Sequence, residues 1–234
     1  MNSLKRIFPI VVCIFFLFSG NVQLYSQDFY RIQADFTIKA KRSDNSLELI
    51  KGTVYYDKTI MKIVYQIRFP KVETWVSLDT VLYKIANGKV VEQKRLNGLV
   101  QFSVFNLVLN GQLSDYGLRG TSFTVSKVEK DSNMVVTTWL PPEKYKKSFG
   151  KILVSTNNRQ LMGVAFFDTD ERITSKQFYK SYKKIKGLNF PAEVVQFFYT
   201  QGKESYQVTN YSNIQVNASG NNTMYNYKFI TNNY

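Results

Sequence analysis

The sequence predicts a mainly β protein assembled from antiparallel hairpins. Apolar and polar side chains alternate with a period of two through almost the whole chain after Tyr30, short turn signals separate the alternating arms, and only one segment repeats its apolar residues at helical spacing. The stretch "YRIQADFTIKAK", residues 30–41, is the plainest case: every even position from Tyr30 to Ala40 is apolar and every odd one is polar. Such a strand has one apolar face, which belongs either to an ordinary core or to a surface that holds a greasy ligand.

The first 26 residues stand apart from this pattern. Lys5 and Arg6 precede an apolar run from Ile7 to Phe18, and a polar stretch ending "LYS" follows, which reads as an export signal cleaved near Ser26. The run is shorter than the roughly 18 to 20 apolar residues of a membrane-spanning helix. Its removal leaves residues 27–234 as a single β domain. The single cysteine, Cys13, falls inside the signal, so the mature chain is expected to hold neither a disulfide nor a thiol nucleophile. Loss of two of the 31 basic residues and none of the 17 acidic ones lowers the formal charge from +14 to +12. This excess favours an anionic partner, and for an exported chain a membrane surface fits better than nucleic acid. Solvated lysine that keeps the protein soluble explains the charge equally well.

The strand arms follow in order. "MKIVYQIRF" sets Met61, Ile63, Tyr65, Ile67 and Phe69 against Lys62, Val64, Gln66 and Arg68. "YKIANGKVV" puts Asn87-Gly88 between two arms, a strong short hairpin signal. Two more arms flank Asp131 to Asn133, and three are joined at Asn157-Asn158 and at Asp168 to Glu171. "AEVVQFFYT" and "SYQVTNYSNIQV" continue the series after a loop containing Gly187 and Pro191. The Asn-rich end, residues 217–234, reads as a loop with a terminal edge strand from Tyr225 to Ile230. Its N-x-S/T triplets mean glycosylation only on a eukaryotic secretory route.

One segment breaks the rhythm. In "LVQFSVFNLVLNG" Leu99, Phe102, Phe105 and Leu109 recur three or four apart, and Gly111 suits the end of a helix. Val100, Val104, Leu107 and Val108 extend the apolar surface round the circumference, so this helix should be buried or cover an apolar surface.

The residue inventory restricts the chemistry. The chain has no histidine, so a Ser-His-Asp triad is impossible and the commonest metal ligand is missing. No nucleophile elbow, phosphate-binding glycine loop or C-x-x-C pair occurs. "DTDE" at Asp168 to Glu171 has oxygens for a hard cation but sits where a hairpin needs a turn, and the turn is the expectation. "YKSYKKIKG", residues 179–187, could meet phosphate headgroups or simply end a hairpin in solvent. The 34 Tyr and Phe residues load the chain with aromatic surface rather than a polar constellation. The inventory points to no enzyme, cofactor or metal.

The order of features from Phe36 onward is informative. An opening strand with Phe36 leads to "GTVYYDK" at Gly52, then "MKIVYQIRFP" closing at Pro70, a pair around "WVSLDTVLYKIANGK", the helix near Phe105, "TWLPPE" at 138–143, "FFDTDERITSKQFYK" and "LNFPAEVVQFFY". This order resembles the periplasmic lipoprotein carriers, the LolA family of outer-membrane lipoprotein-sorting proteins. The resemblance implies a strongly curved antiparallel sheet, an open, incomplete barrel, with a short helical lid that shields acyl chains. It implies a cavity lined from the strands by Phe36, Ile38, Val54, Tyr56, Ile63, Tyr65, Ile67 and Trp139, and from the helix by Phe102, Phe105 and Leu109. The family latches its lid with an arginine just before the "MKIVYQIRF" strand; the nearest basic residue here is Lys58, the lid latch candidate, and a lysine cannot fork as a guanidinium does. The family's helix ahead of the first strand has no room here, so the lid should be small.

The expected function is therefore a periplasmic carrier of lipoprotein acyl chains or another lipid. It would act as a monomer between an inner-membrane ABC transporter and an outer-membrane acceptor, with transient membrane contact and no nucleic acid. The alternative is a non-catalytic structural or interaction protein of the envelope with a filled core, which alternates identically. A histidine-free hydrolase using Asp168 and Glu171 is a weaker third reading.

Overall fold

The computed structural model describes residues 28–95 and 100–229, so the expected export signal, Leu99 and Ile230 lie outside the described residues. Strands β1 (Arg31–Lys41), β2 (Leu47–Asp57), β3 (Lys62–Phe69), β4 (Glu73–Leu78), β5 (Val81–Ala86) and β6 (Lys89–Arg95) form one antiparallel meander. A second runs through β7 (Thr124–Asp131), β8 (Met134–Leu140), β9 (Ile152–Asn157), β10 (Gln160–Phe167), β11 (Ile173–Ile185), β12 (Leu188–Thr200) and β13 (Lys203–Val216). Pairing of β1 with β13, from Ile32 opposite Val216 to Lys41 opposite Tyr206, welds the two into a single sheet of 13 strands. The sheet is curved and does not close into a barrel; β6 and β7 are its two edges. Both edges carry charges, among them Lys94 and Arg95 on β6 and Lys127 and Lys130 on β7, which discourages pairing with another chain.

Turn chemistry matches the hairpins read from the sequence. Asn87 and Gly88 both take positive φ, 51° and 74°, as a two-residue turn between right-twisted strands requires. Asn158 and Arg159 do the same at 49° and 65°, one residue later than the sequence suggested. At Asp168 the carboxylate Oδ1 accepts from the backbone N–H groups of Asp170 and Arg172, so the acidic "DTDE" run folds as a turn. The loop expected at Gly187 and Pro191 is shorter than that. β11 ends at Ile185 and β12 begins at Leu188, which places Pro191 inside β12 opposite Tyr182, beside the positive φ of Ser181.

The helical segment is also shorter than its apolar spacing implied. A 3-10 turn at Val100–Phe102 precedes helix α1 (Val104–Leu109), because Ser103 is extended and its side chain caps the N–H of Asn106 at 3.3 Å. At the other end Gln112 N–H donates to Leu107 O at 2.8 Å and Gly111 N–H to Val108 O at 3.2 Å, with Gly111 at a φ of +64°. This is a Schellman ending, and Gly111 supplies the left-handed residue that it needs. All six residues of α1 are buried, as its all-round apolar surface demands.

A curved sheet has two faces, and both are used. Ile32, Ala34, Phe36 and Ala40 of β1 are buried on the inner face, which α1 covers. On the outer face a smaller cluster gathers Tyr55, Val64, Val76 and Ile85 beneath Tyr225. Here the expected terminal strand from Tyr225 is corrected: residues Asn222–Tyr225 form helix α2, and the chain onward to Phe229 lies across β2 to β5. The outer face of those strands is apolar and needs cover. Tyr225 meets Tyr55 edge-on at 5.5 Å, Phe229 meets Tyr83 at 4.9 Å, and the Arg31 guanidinium lies 4.6 Å over the Tyr225 ring while Nε bonds Asp57 at 2.7 Å.

Candidate functional site

The inner face of β1, β2 and β3 is built by register. Ile32, Ala34 and Phe36 lie opposite Tyr56, Val54 and Gly52, which in turn lie opposite Ile63, Tyr65 and Ile67. The missing side chain at Gly52 lets the Phe36 ring approach Tyr65 edge-on at 5.5 Å; a Cβ there would stand 2.2 Å from Gln66 O and 3.0 Å from the Phe36 ring. From the far side of the sheet come Trp139, Ile152, Val154, Leu161, Val164, Tyr179, Phe190 and Val194, all buried in the same cluster.

The lid closes on this surface through aromatic contacts. Phe105, 1% exposed, stacks on Tyr56 at 6.0 Å and meets Phe190 at 6.0 Å and Tyr211 at 5.4 Å. Tyr116, beyond the helix, stacks on Phe102 at 5.5 Å and faces Phe166 at 5.8 Å. Protein side chains thus occupy the space beneath α1. Burial pushes the Tyr65 and Tyr116 phenols up to about 12, and it raises those of Tyr56, Tyr179 and Tyr211 as well. These phenols therefore stay neutral at ordinary pH.

Among the described residues one buried side-chain hydrogen bond ties α1 to the sheet: the Tyr56 hydroxyl donates to Asn106 Oδ1 at 2.7 Å. Beyond the helix the Tyr116 hydroxyl donates to Gln177 Oε1 at 3.3 Å. Asn106 is otherwise satisfied within the lid: Nδ2 donates to Gln101 O at 2.8 Å and Oδ1 also accepts from Asn110 Nδ2 at 2.8 Å. At the margin of the lid an open cleft of about 450 Å³ runs between Lys58 and Met61 of the sheet and Phe102, Asn106, Asn110, Gln112 and Thr121 of the lid. Lys58 lines this cleft, and its Nζ bonds Asp28 Oδ1 at 3.3 Å.

All eleven residues singled out from the sequence meet in one cluster. Phe36, Val54, Tyr56, Ile63, Ile67, Phe105, Leu109 and Trp139 are buried in it, and Ile38, Tyr65 and Phe102 pack against it half-buried. Lys58 reaches the cleft, while the bond that joins sheet to helix is made by Tyr56, two residues earlier. Sequence reasoning missed Asn106, although a lone amide inside an apolar helical run is a signal. It also missed Tyr116, Phe190 and Tyr211, since strand alternation does not say which distant faces converge. An interior of this kind, apolar except for neutral phenol hydroxyls and the Asn106 amide, can exclude water from an apolar ligand. Among the described residues no cluster of three or more acidic, cysteine or histidine side chains is placed to hold a metal, and no helix is long and apolar enough to cross a membrane.

An open curved antiparallel sheet whose inner face is covered by a short helical lid defines the LolA-like fold. Solved structures share this fold with the chain. A LolA superfamily protein from Nitrosomonas europaea aligns over 83% of this chain and 90% of its own, with a TM-score of 0.55 and 15% identity. A structure titled as an outer membrane lipoprotein-sorting protein domain, from Vibrio parahaemolyticus, covers 84% of this chain and 89% of its own, with a TM-score of 0.58 and 14% identity. A DUF1329 family protein from Desulfovibrio piger covers 85% and 90%, at 0.51 and 10%. No protein-family model and no curated protein sequence matches the chain.

Proposed function

We propose that the protein is a non-catalytic periplasmic carrier that holds acyl chains, of lipoproteins or another lipid, between the inner face of the sheet and the α1 lid. The observation that carries this reading is the lid itself: a six-residue, wholly buried helix laid on the apolar inner face of a LolA-like sheet and tied to it, among the described residues, by a single side-chain hydrogen bond. Entry of a chain displaces α1, and each buried methylene then contributes roughly 0.8 kcal/mol toward binding. The cleft beside Lys58 is where the polar end of such a ligand would emerge. In this reading the carrier works as an exported monomer that collects cargo from an inner-membrane transporter and delivers it to an outer-membrane acceptor, so release depends on those partners.

The aromatic packing of Phe105 on Tyr56, Phe190 and Tyr211 supports a second reading, an envelope interaction protein whose lid never opens. Native mass spectrometry with lipid extraction separates the two, using exported protein recovered without detergent. A reproducible mass increment that extracts as lipid or acylated peptide is the expected result. A clean apo mass, with no uptake when lipid is offered, overturns the carrier reading.

A further inference from the structure

The outer face is only half covered. α2 and the following residues pack on Tyr55, Val64, Val76 and Ile85, toward one end of β2 to β5. Toward the other end of β1 and β2, strand register lays two adjacent rows across five strands. One row is Phe178, Val195, Val208, Lys39 and Leu49; the other is Lys176, Phe197, Tyr206, Lys41 and Leu47. The aromatic members touch, Phe178 to Phe197 at 6.1 Å and Phe197 to Tyr206 at 5.8 Å. Among the described residues nothing packs over them: Phe178 is 39% exposed, Tyr206 37% and Leu47, beside the β1–β2 turn, 81%. An open groove of about 430 Å³ follows Lys39, Lys41, Leu47, Leu49, Tyr206 and Val208.

We infer that this strip docks the protein on an anionic lipid bilayer. Lys39 and Lys41 sit in the middle of the apolar rows, where a protein partner with an apolar face would have to bury two ammonium groups. At a bilayer the same side chains lay their stems along the apolar surface and raise their heads to the phosphates, while Phe and Tyr rings settle at headgroup depth. The surrounding charge is complementary to such a surface. Lys51 and Lys180 border the strip, as do Glu193 and Glu204, and Glu48 is already engaged by Arg42, so lysine outnumbers unpaired carboxylate there. The inference is independent of the cargo reading, because the strip lies on the face of the sheet opposite the lid.

Vesicle flotation of the exported protein tests it. We expect flotation with phosphatidylcholine vesicles that contain phosphatidylglycerol, none with pure phosphatidylcholine, and weakening as salt is raised. The pair Lys39→Gln with Lys41→Gln should lower the partition coefficient about thirtyfold, and Leu47→Ser should lower it several-fold without touching charge. Lys127→Gln with Lys130→Gln, on the distant β7 edge, should stay within about twofold of the unaltered protein. No flotation at low salt overturns the inference, as does an equal loss from the two lysine pairs, which would mark a diffuse charge effect. All these side chains project from the outer face or a sheet edge, so circular dichroism should be unchanged.

Discussion

The Tyr56–Asn106 hydrogen bond offers a direct test of whether α1 is a lid. Tyr56→Phe removes only the hydroxyl that donates to Asn106 Oδ1 at 2.7 Å and keeps the ring stacked on Phe105. Asn106 Oδ1 still accepts from Asn110 Nδ2, so the substitution strands no buried acceptor. The loss is then that of one ordinary intramolecular hydrogen bond, about 1 kcal/mol. Since the bond exists only while α1 lies on the sheet, the closed state loses that amount relative to the open one, and the open population rises about fivefold. If ligand enters the open state, its apparent dissociation constant falls by about the same factor. Titration with a fluorescent long-chain fatty acid, beside urea denaturation of the same samples, reads both quantities. The reasoning predicts tighter binding together with about 1 kcal/mol lower stability. Lower stability with unchanged affinity would mean that α1 does not move when ligand binds, and weaker affinity would mean that the hydroxyl contacts the ligand.

Three further outcomes are expected. Gly52→Ala should cost about 2 to 4 kcal/mol in urea denaturation, because its Cβ would meet the Gln66 backbone oxygen at 2.2 Å and neither strand can shift without disturbing the Phe36–Tyr65 contact. Tyr225→Ala should cost about 3 to 5 kcal/mol by uncovering the outer cluster, whereas Tyr225→Phe should leave stability unchanged or slightly raised, since its buried hydroxyl has no hydrogen-bond partner among the described residues. Acid should unfold the protein through two carboxyls. Bonds from Asn213, Thr53 and Arg68 outweigh burial at Asp35, and bonds from Thr59 and Arg31 outweigh a larger burial effect at Asp57, so both ionise below the ordinary 3.8. Their stabilisation is complete above the unfolded value and is lost as pH falls through the folded ones, so stability should be flat from neutral pH to about 5 and drop below about 4. Asp57→Asn should shallow that drop while lowering stability at neutral pH, read from denaturation midpoints at a series of pH values.

Much of the sheet was legible because two signals agreed at several of its hairpins. Alternation gave the strands, and Asn87-Gly88 or Asp168 gave the turns, since these residues tolerate the backbone that such turns impose. The shared face of the candidate residues was legible for the same reason: period two places Ile63, Tyr65 and Ile67 on one side whatever lies opposite. What alternation could not supply is pairing between distant segments. β1 joins β13 across the whole sequence, so the convergence of Phe190, Tyr211 and Phe105 has no local signature. The C-terminal segment misled because Tyr225, Tyr227 and Phe229 alternate like a strand. Their apolar side chains face an already paired sheet surface instead of extending its edge, and the left-handed Asn221, at a φ of 54°, turns the chain into α2 first.

The position of the lid in the chain explains how it could move at all. α1 lies in the connection from β6 to β7, and these strands are the opposite edges of the sheet, so the connection must cross a face to join them. It crosses the inner one. The rest of the sheet is held by meander pairings and by the β1–β13 seam, none of which involves residues of α1. Lifting the helix therefore breaks no strand pair and interrupts no ladder. The cost falls on the apolar contacts of Phe105 and its neighbours and on the Tyr56–Asn106 bond. An acyl chain that takes the place of Phe105 restores apolar contact to Tyr56, Phe190 and Tyr211 but cannot replace the amide as acceptor for Tyr56. That asymmetry is why deleting one hydroxyl should favour the loaded state, and why the same deletion in an ordinary core would only weaken the fold.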